Sequence, residues 1–336
     1  MVPTRVFMQV AVVCLSVAVL GAAAAGTRWT EQVVFSPGMQ FLQGAHEACD
    51  ADPPNLQKCF AEQMQKYGAK PEAVEFAKTL GEPGFARDFK TLGPVDIAYV
   101  MYAYRANENQ AILLVNGEPS PNDVDNQKLL PLEDAHGNAA YAALAKEYPQ
   151  ISFWPGDRSG TDHPYAMKSA SGAQDFIVGY TLRNQCHACA VVGHEWFAFR
   201  FQPDGKFEKA ELVGATASEE TSVEVKGDAQ TVRATAGQEV TLLLEANPST
   251  GYSWDLAEAP GGWKVQMIDH EYVAPKEGVP GQGGHEAWRM GAIAVGTAEL
   301  KFVYRRPWEK DKAPAKTVTV KMEVGGAAGA PRKKHS

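Results

Sequence analysis

Cys186-His187-Ala188-Cys189 is the tightest grouping of reactive side chains in this sequence. Two cysteines so spaced can exchange with another thiol, hold part of a zinc site, or close on each other as a disulfide. A c-type haem is excluded, because Ala190 rather than histidine follows Cys189. Zinc held through Cys186, Cys189, His187 or His194 lacks a second CxxC, and the other cysteines are distant in sequence. The redox reading lacks a thioredoxin-type helix opening at the motif. A structural disulfide is the favoured reading, and the other two stay open. His194-Glu195 has no second histidine three residues on, as a zinc-protease helix requires. Asp157, Asp162 and His163 share one polar loop, which could bind a cation but reads first as a solvated surface loop. Residues 26–214 contain no recognisable catalytic set.

The cysteines also bear on compartment. Arg5, the apolar run 6–20 and the small residues 21–26 read as a secretory signal peptide over residues 1–25. The run is short for a membrane span. Cys14 follows Val13, where a lipoprotein signal needs a small residue. A periplasmic or secreted protein is expected, with no stable membrane span after signal cleavage. Export leaves Cys49, Cys59, Cys186 and Cys189, an even set in an oxidising compartment, hence two disulfides. Three pairings can be drawn, of which the local ones, Cys49 with Cys59 and Cys186 with Cys189, are simplest. The chain has 336 residues, 45% of them hydrophobic, and a formal net charge of −8. That length suits two domains, and that charge argues against nucleic acid as a partner.

The elements that must position these residues change character along the chain. Residues 38–80 read as helical, broken at Pro53-Pro54, with Pro71 opening a further helix and Gly81 just past its end. Strand patterns follow at 95–104 and 111–115, the latter ended by Asn116-Gly117. A helix is expected over 134–148. Strands are expected over 176–182, 194–201 and 207–213, with Pro203-Asp204-Gly205 turning the last two into a hairpin. This makes residues 26–214 an α+β domain with a mostly antiparallel sheet, of unknown function. Residues 215–220 are small and polar and read as a linker. Beyond them short strands alternate with turns, at 222–225, 239–245, 252–256, 263–268, 286–294, 297–304 and 316–324, the spacing of a β-sandwich. The end, 326–336, is Gly/Ala-rich and then basic at Arg332-Lys333-Lys334, and reads as a disordered tail.

Three turns of this second region are unusual as a set. Asn247-Pro248-Ser249-Thr250-Gly251-Tyr252 combines a fixed φ, side chains that bond nearby backbone, and a glycine that allows positive φ. Any strand connection could use these residues, yet a pre-shaped loop also loses little entropy on binding. Gly281-Gln282-Gly283-Gly284 reads as a hairpin tip, or as backbone bare enough to lie against another backbone. Arg305-Arg306-Pro307-Trp308 reads as a strand exit, or as an exposed Arg and Trp of the kind that dominates interface energetics.

In this order, within a strand-rich region, the three segments resemble the chagasin-type family of cysteine-protease inhibitors. The resemblance covers roughly residues 218–325, and Ser249 stands where the family often has threonine. It implies an immunoglobulin-like sandwich at 215–325 that presses three loops into the cleft of a papain-like cysteine protease, reversibly and competitively, so that the chain blocks an enzyme rather than being one and no metal or cofactor is implied. It assigns Asn247, Pro248, Ser249, Thr250, Gly251 and Tyr252 to the loop over the catalytic cysteine. Gly281, Gln282, Gly283 and Gly284 fall to the loop beside the cleft, and Arg306, Pro307 and Trp308 to the other flank. The alternative is an immunoglobulin-like binding or adhesion module joined to an α+β domain, for which these loops are incidental. A weaker third is an exported thiol oxidoreductase centred on Cys186 and Cys189.

Overall fold

The structure is a computed structural model that describes residues 28–50, 53–158, 164–258, 263–275, 282–309 and 311–326. The expected signal peptide, Asp162, His163, Gly281 and the basic tail from 327 lie outside the described residues. Helices α1 (Met39–Cys49), α2 (Leu56–Lys66) and α3 (Pro71–Thr79) lie where the prolines predict them. Pro71 sits in the first turn of α3, where a missing N–H leaves no hydrogen bond unmade. Phe41, Phe60, Met64 and Val74 form a small core among them, and a Cys49–Cys59 disulfide ties α1 to α2.

These helices cover one face of an antiparallel sheet, β1 (Gly84–Lys90), β2 (Asp96–Tyr102), β3 (Gln110–Val115) and the two-residue β4 (Asn122–Asp123). Strand β2 is almost continuously apolar because both its faces are buried. Ala98 and Val100 join Phe76 on the helix side, while Ile97 and Tyr99 meet a second sheet. Strand β1 escapes a pattern reading because a bulge between Ala86 and Asp88 breaks its alternation. The helix expected over 134–148 is two, α4 (Leu132–His136) and α5 (Ala139–Glu147). The break is Gly137-Asn138, and the Asn138 side chain caps α5 by accepting the Ala140 amide at 2.9 Å.

The second sheet contains β5 (Ile151–Pro155), β6 (Tyr165–Lys168), β7 (Gln174–Asn184), β8 (Val191–Phe201) and the first half of β9 (Phe207–Glu224). Here the structure corrects one expectation. Residues 215–220 are not a linker but the middle of β9. Up to Ala217 the strand pairs with β8; Ala217 also meets the first residue of β11 (Gln238–Ala246), and after a register shift that passes over residues 218 and 219 the strand pairs in parallel with β11 from residue 220. Small polar residues suggest a loop, but a ladder on each side in turn overrides that preference.

The remaining strands are β10 (Ala229–Thr235), β12 (Ser253–Glu258), β13 (Val265–Val273), β14 (Gly284–Ala292), β15 (Gly296–Arg305) and β16 (Lys316–Gly325). They form a sandwich. One sheet runs β10-β16-β15-β12, and the other runs β13-β14-β11-β9 and continues through β8 and β7 to β5. Leu242, Trp254, Trp288, Leu300, Phe302 and Val320 fill the space between them. The fold is thus an α+β N-terminal part followed by an all-β sandwich, with one sheet common to both.

The junction is packed as well as paired. Trp196 and Ile177 of the first part enclose Ile293 of the second, and Tyr165 lies against the sandwich core. Glu239 of β11, 1% exposed, accepts from Thr216 Oγ1 at 2.7 Å and lies 2.8 Å from His194 Nδ1.

A second carboxyl is buried nearby without such support. Glu195 is 1% exposed, and its Oε1 has no hydrogen-bond partner. Burial pushes its pKa from 4.5 up to about 7. The folded chain therefore holds this proton across a range where the unfolded chain has released it. The resulting penalty is absent below about pH 4.5, grows as pH rises, and is complete above about pH 7. Glu195→Gln is expected to change stability little at acid pH and to raise it by on the order of 3 kcal/mol at about pH 8. Denaturant unfolding at both pH values measures this, and an equal change at both would refute it.

Candidate functional site: three loops at one end of the sandwich

The strand registers bring the three segments together. β11 ends at Ala246, which pairs with Gly284 at the start of β14, and the β13–β14 hairpin ends at Val273 and His285. On the other sheet, Ser253 at the start of β12 pairs with Arg305 at the end of β15, and Tyr304 pairs with Lys316. The connections after β11, β13 and β15 therefore leave the sandwich at one end. Strand β9 enters from the opposite end, since Ala217 pairs with Gln238, the first residue of β11.

The first loop is held by its own side chains. Asn247 Oδ1 accepts from Ser249 N at 3.2 Å and from Ser249 Oγ at 2.7 Å, while Thr250 Oγ1 donates to the Asn247 carbonyl at 2.6 Å. The turn closes at Gly251, whose φ of 77° suits glycine. Pro248, Ser249 and Thr250 are exposed at the tip. Below them Tyr304 Oη accepts from Asn247 N at 2.9 Å, and the Tyr304 ring stacks on Tyr252 at 5.4 Å and tilts against Trp254 at 5.0 Å. Trp254 is fixed in turn by Nε1 donating to the Glu245 carbonyl at 3.0 Å and its backbone N–H donating to buried Glu286 at 3.0 Å. Burial raises the Glu286 pKa, and that N–H pulls it partly back.

The other two loops rest on the first. A β-carbon on Gly251 would sit 2.9 Å from Trp308 Cη2, so the indole lies against bare backbone there, yet Trp308 remains 70% exposed. The Arg306 guanidinium lies over the Tyr252 ring at 4.8 Å and 3.6 Å from Glu309. A β-carbon on Gly283 would sit 2.9 Å from the Ala246 carbonyl oxygen, so the second segment also presses against the first. Gln282 is exposed and Gly284 is buried in the β14 ladder.

The described residues assigned by resemblance thus lie on three connections that leave the same end of the sandwich. The sequence reading missed Tyr304, the pillar beneath it, and the exposed pair Tyr272 and Val273, at 40% and 44% exposure, on the free edge strand beside the second loop. The signal was present: two large apolar residues side by side break the alternation that would bury one of them. Among the described residues no three His, Cys, Asp or Glu side chains gather as metal ligands. No described helix is long and apolar enough to cross a membrane. Cys186 and Cys189 are bridged to each other.

The C-terminal part is thus a β-sandwich with three loops gathered at one end. The sequence profile described as "Chagasin family peptidase inhibitor I42" matches residues 233–322. Amoebiasin-1 of Entamoeba histolytica is 32% identical over 96 residues, 28% of this chain and 89% of that protein. Chagasin of Trypanosoma cruzi is 27% identical over 98 residues, 28% of this chain and 88% of that protein. A solved structure of a cysteine protease inhibitor from Entamoeba histolytica is 24% identical, covering 32% of this chain and 95% of that one, with a TM-score of 0.27. By its C-terminal part the chain belongs to the chagasin family of peptidase inhibitors. The matches to these family members leave the N-terminal part unexplained.

Asn247→Ala removes the acceptor of Ser249 N while leaving the core untouched. Amide exchange at Ser249 is expected to accelerate about fivefold, the loss of one net hydrogen bond of about 1 kcal/mol. The global unfolding midpoint should hold. Hydrogen exchange read by NMR tests this, and unchanged protection would show that the loop is held by other contacts.

Proposed function

We propose that this protein is an exported inhibitor of papain-like cysteine proteases that works by wedging its three loops into the active-site cleft. The observation that carries this reading is the convergence of Pro248, Ser249 and Thr250 with Gln282, Gly283 and Trp308 at one end of the sandwich. A papain-like enzyme keeps a Cys/His pair at the floor of a cleft. The Asn247 bonds pre-shape the tip that would enter that cleft, so little ordering entropy is lost on docking. Gln282 and Gly283 offer backbone to an extended partner on one flank. Trp308 and Arg306 offer large contact area on the other, seated on Gly251 and Tyr252. Such a wedge presents no aligned scissile bond and forms no covalent bond, so the block is reversible and competitive.

Residues 1–25 act as the signal in this reading, and the mature protein works in the periplasm or outside the cell, where both disulfides persist. Residues 26–214 form the α+β domain and 215–325 the inhibitor domain.

The test is inhibition of papain and of a cathepsin-L-like protease by the mature full-length chain. Competitive inhibition is expected. Trp308→Ala should weaken it about 30-fold, the effect of losing a hot spot of about 2 kcal/mol. Thr250→Glu should weaken it further by placing a charge against the protease. A folded protein that inhibits no papain-like protease, or variants that inhibit as well as the parent, would remove the reading and favour a binding module.

A further inference from the structure

The Cys186–Cys189 disulfide takes no part in the three loops. It closes the exposed tip of the β7–β8 hairpin, bridging cysteines three residues apart. That tip is already closed without it. Arg183 pairs with Val191 in the ladder, Asn184 N donates to the Ala190 carbonyl at 3.0 Å, and Cys189 N donates to the Cys186 carbonyl at 2.9 Å. A short bridge inside a closed turn removes little further freedom from the chain. The Cys49–Cys59 bridge is of another kind: it joins two helices across ten residues, and Cys49 is fully buried.

The two cysteines of the hairpin also stand in unequal surroundings. Cys186 is exposed and Cys189 is half-buried. Arg183 Nη1 donates to the Cys189 carbonyl at 2.7 Å, which keeps a guanidinium charge beside that residue. His187, between the cysteines, packs edge-on against Trp154 at 5.1 Å, and its Nε2 is 3.8 Å from Glu108. A sulfur that leaves as a thiolate gains from a nearby cation, and a sulfur that is attacked must be reachable.

We propose that Cys186–Cys189 is a thiol–disulfide exchange site, with Cys186 the attacked sulfur and Cys189 the leaving one. The reaction partner is a dithiol. One of its thiolates attacks the Cys186 sulfur, the bridge breaks, and the bonding pair departs on Cys189, whose thiolate takes a proton from water. The donor is now joined to Cys186 as a mixed disulfide. Its second thiolate attacks its own bridged sulfur and releases Cys186 as a thiolate. The dithiol ends as a disulfide, oxidised by two electrons, and the hairpin pair ends reduced by two. This assignment is independent of the inhibitor reading.

The test equilibrates the mature full-length protein with glutathione buffers of increasing reducing power, then alkylates it and reads the cysteines by peptide mass. Cys186 and Cys189 are expected to open at ratios that leave Cys49–Cys59 bridged. With reduced glutathione as probe on the bridged parent and rapid alkylation as quench, the glutathione adduct should form on Cys186 at least about tenfold more than on Cys189. The double variant Cys186→Ser/Cys189→Ser should keep the parent's thermal midpoint. Three results would overturn the proposal: a hairpin bridge that resists until Cys49–Cys59 opens, equal glutathione adducts on Cys186 and Cys189, or a midpoint loss in the double variant as large as that of Cys49→Ser/Cys59→Ser.

Discussion

Strand β9 hydrogen-bonds to β8 along its first half and to β11 along its second, and both parts of the molecule take their register from it. Ala217 is the crossing point, pairing with Gly193 on one side and Gln238 on the other. Side chains alternate faces along a strand, so a one-residue slip here would turn Leu242 and Leu244 out of the core. Glu239 guards against that slip. Its carboxylate is buried between His194 of β8 and Thr216 of β9, and only the native register brings both to it. From β11 the register passes to β14 and then to β13, so the first and second loops owe their relative height to this one pairing.

The third loop comes from the opposite sheet, and Tyr304 bridges the two. Its hydroxyl accepts from Asn247 N, at the exit of β11, while its backbone belongs to β15. The ring lies between Tyr252 and Trp254, and such aromatic pairs contribute about 0.5–1.5 kcal/mol each beyond the area they bury. The loop end is therefore built from the core outward, with Trp288 against Phe302 deepest, Trp254 and Tyr304 above, then Tyr252 under Arg306.

Much of this was legible in the sequence, for identifiable reasons. The helices were bounded by prolines, and the sandwich strands by turn residues at regular spacing. Asn247, Gly251 and Pro307 have chemistry suited to turns, and the resemblance, not that chemistry, singled out these turns as a site. Two kinds of feature were hidden. Strands β5, β6 and β10 are short or carry small residues, and β1 carries a bulge, so their periodicity is weak. Residues 215–220 were misread because composition reports a local preference, whereas β9 is decided by ladders to strands on either side of it. Tyr304 was hidden for a related reason: nothing local marks one strand tyrosine as the contact between two loops.

Under a third of this chain covers 89% of amoebiasin-1, so what the family fold requires lies in the C-terminal part. The N-terminal part is nevertheless attached by more than a tether. It shares β9, buries the Glu239 carboxylate with His194, seats Trp196 near Ile293, and lays Tyr165 on the open side of the sandwich between β12 and β13. Lys90 and Tyr165 line one depression with Arg305 and Pro307, so this part of the chain reaches from the end opposite the loops to the base of the third. A hinge at 215–220 would have let the two parts reorient, and ordering them would cost entropy each time the loops engaged a partner. A continuous strand paired first to β8 and then to β11 meets that cost once, during folding. The angle between the loop end and the α+β part is then a fixed property of the fold.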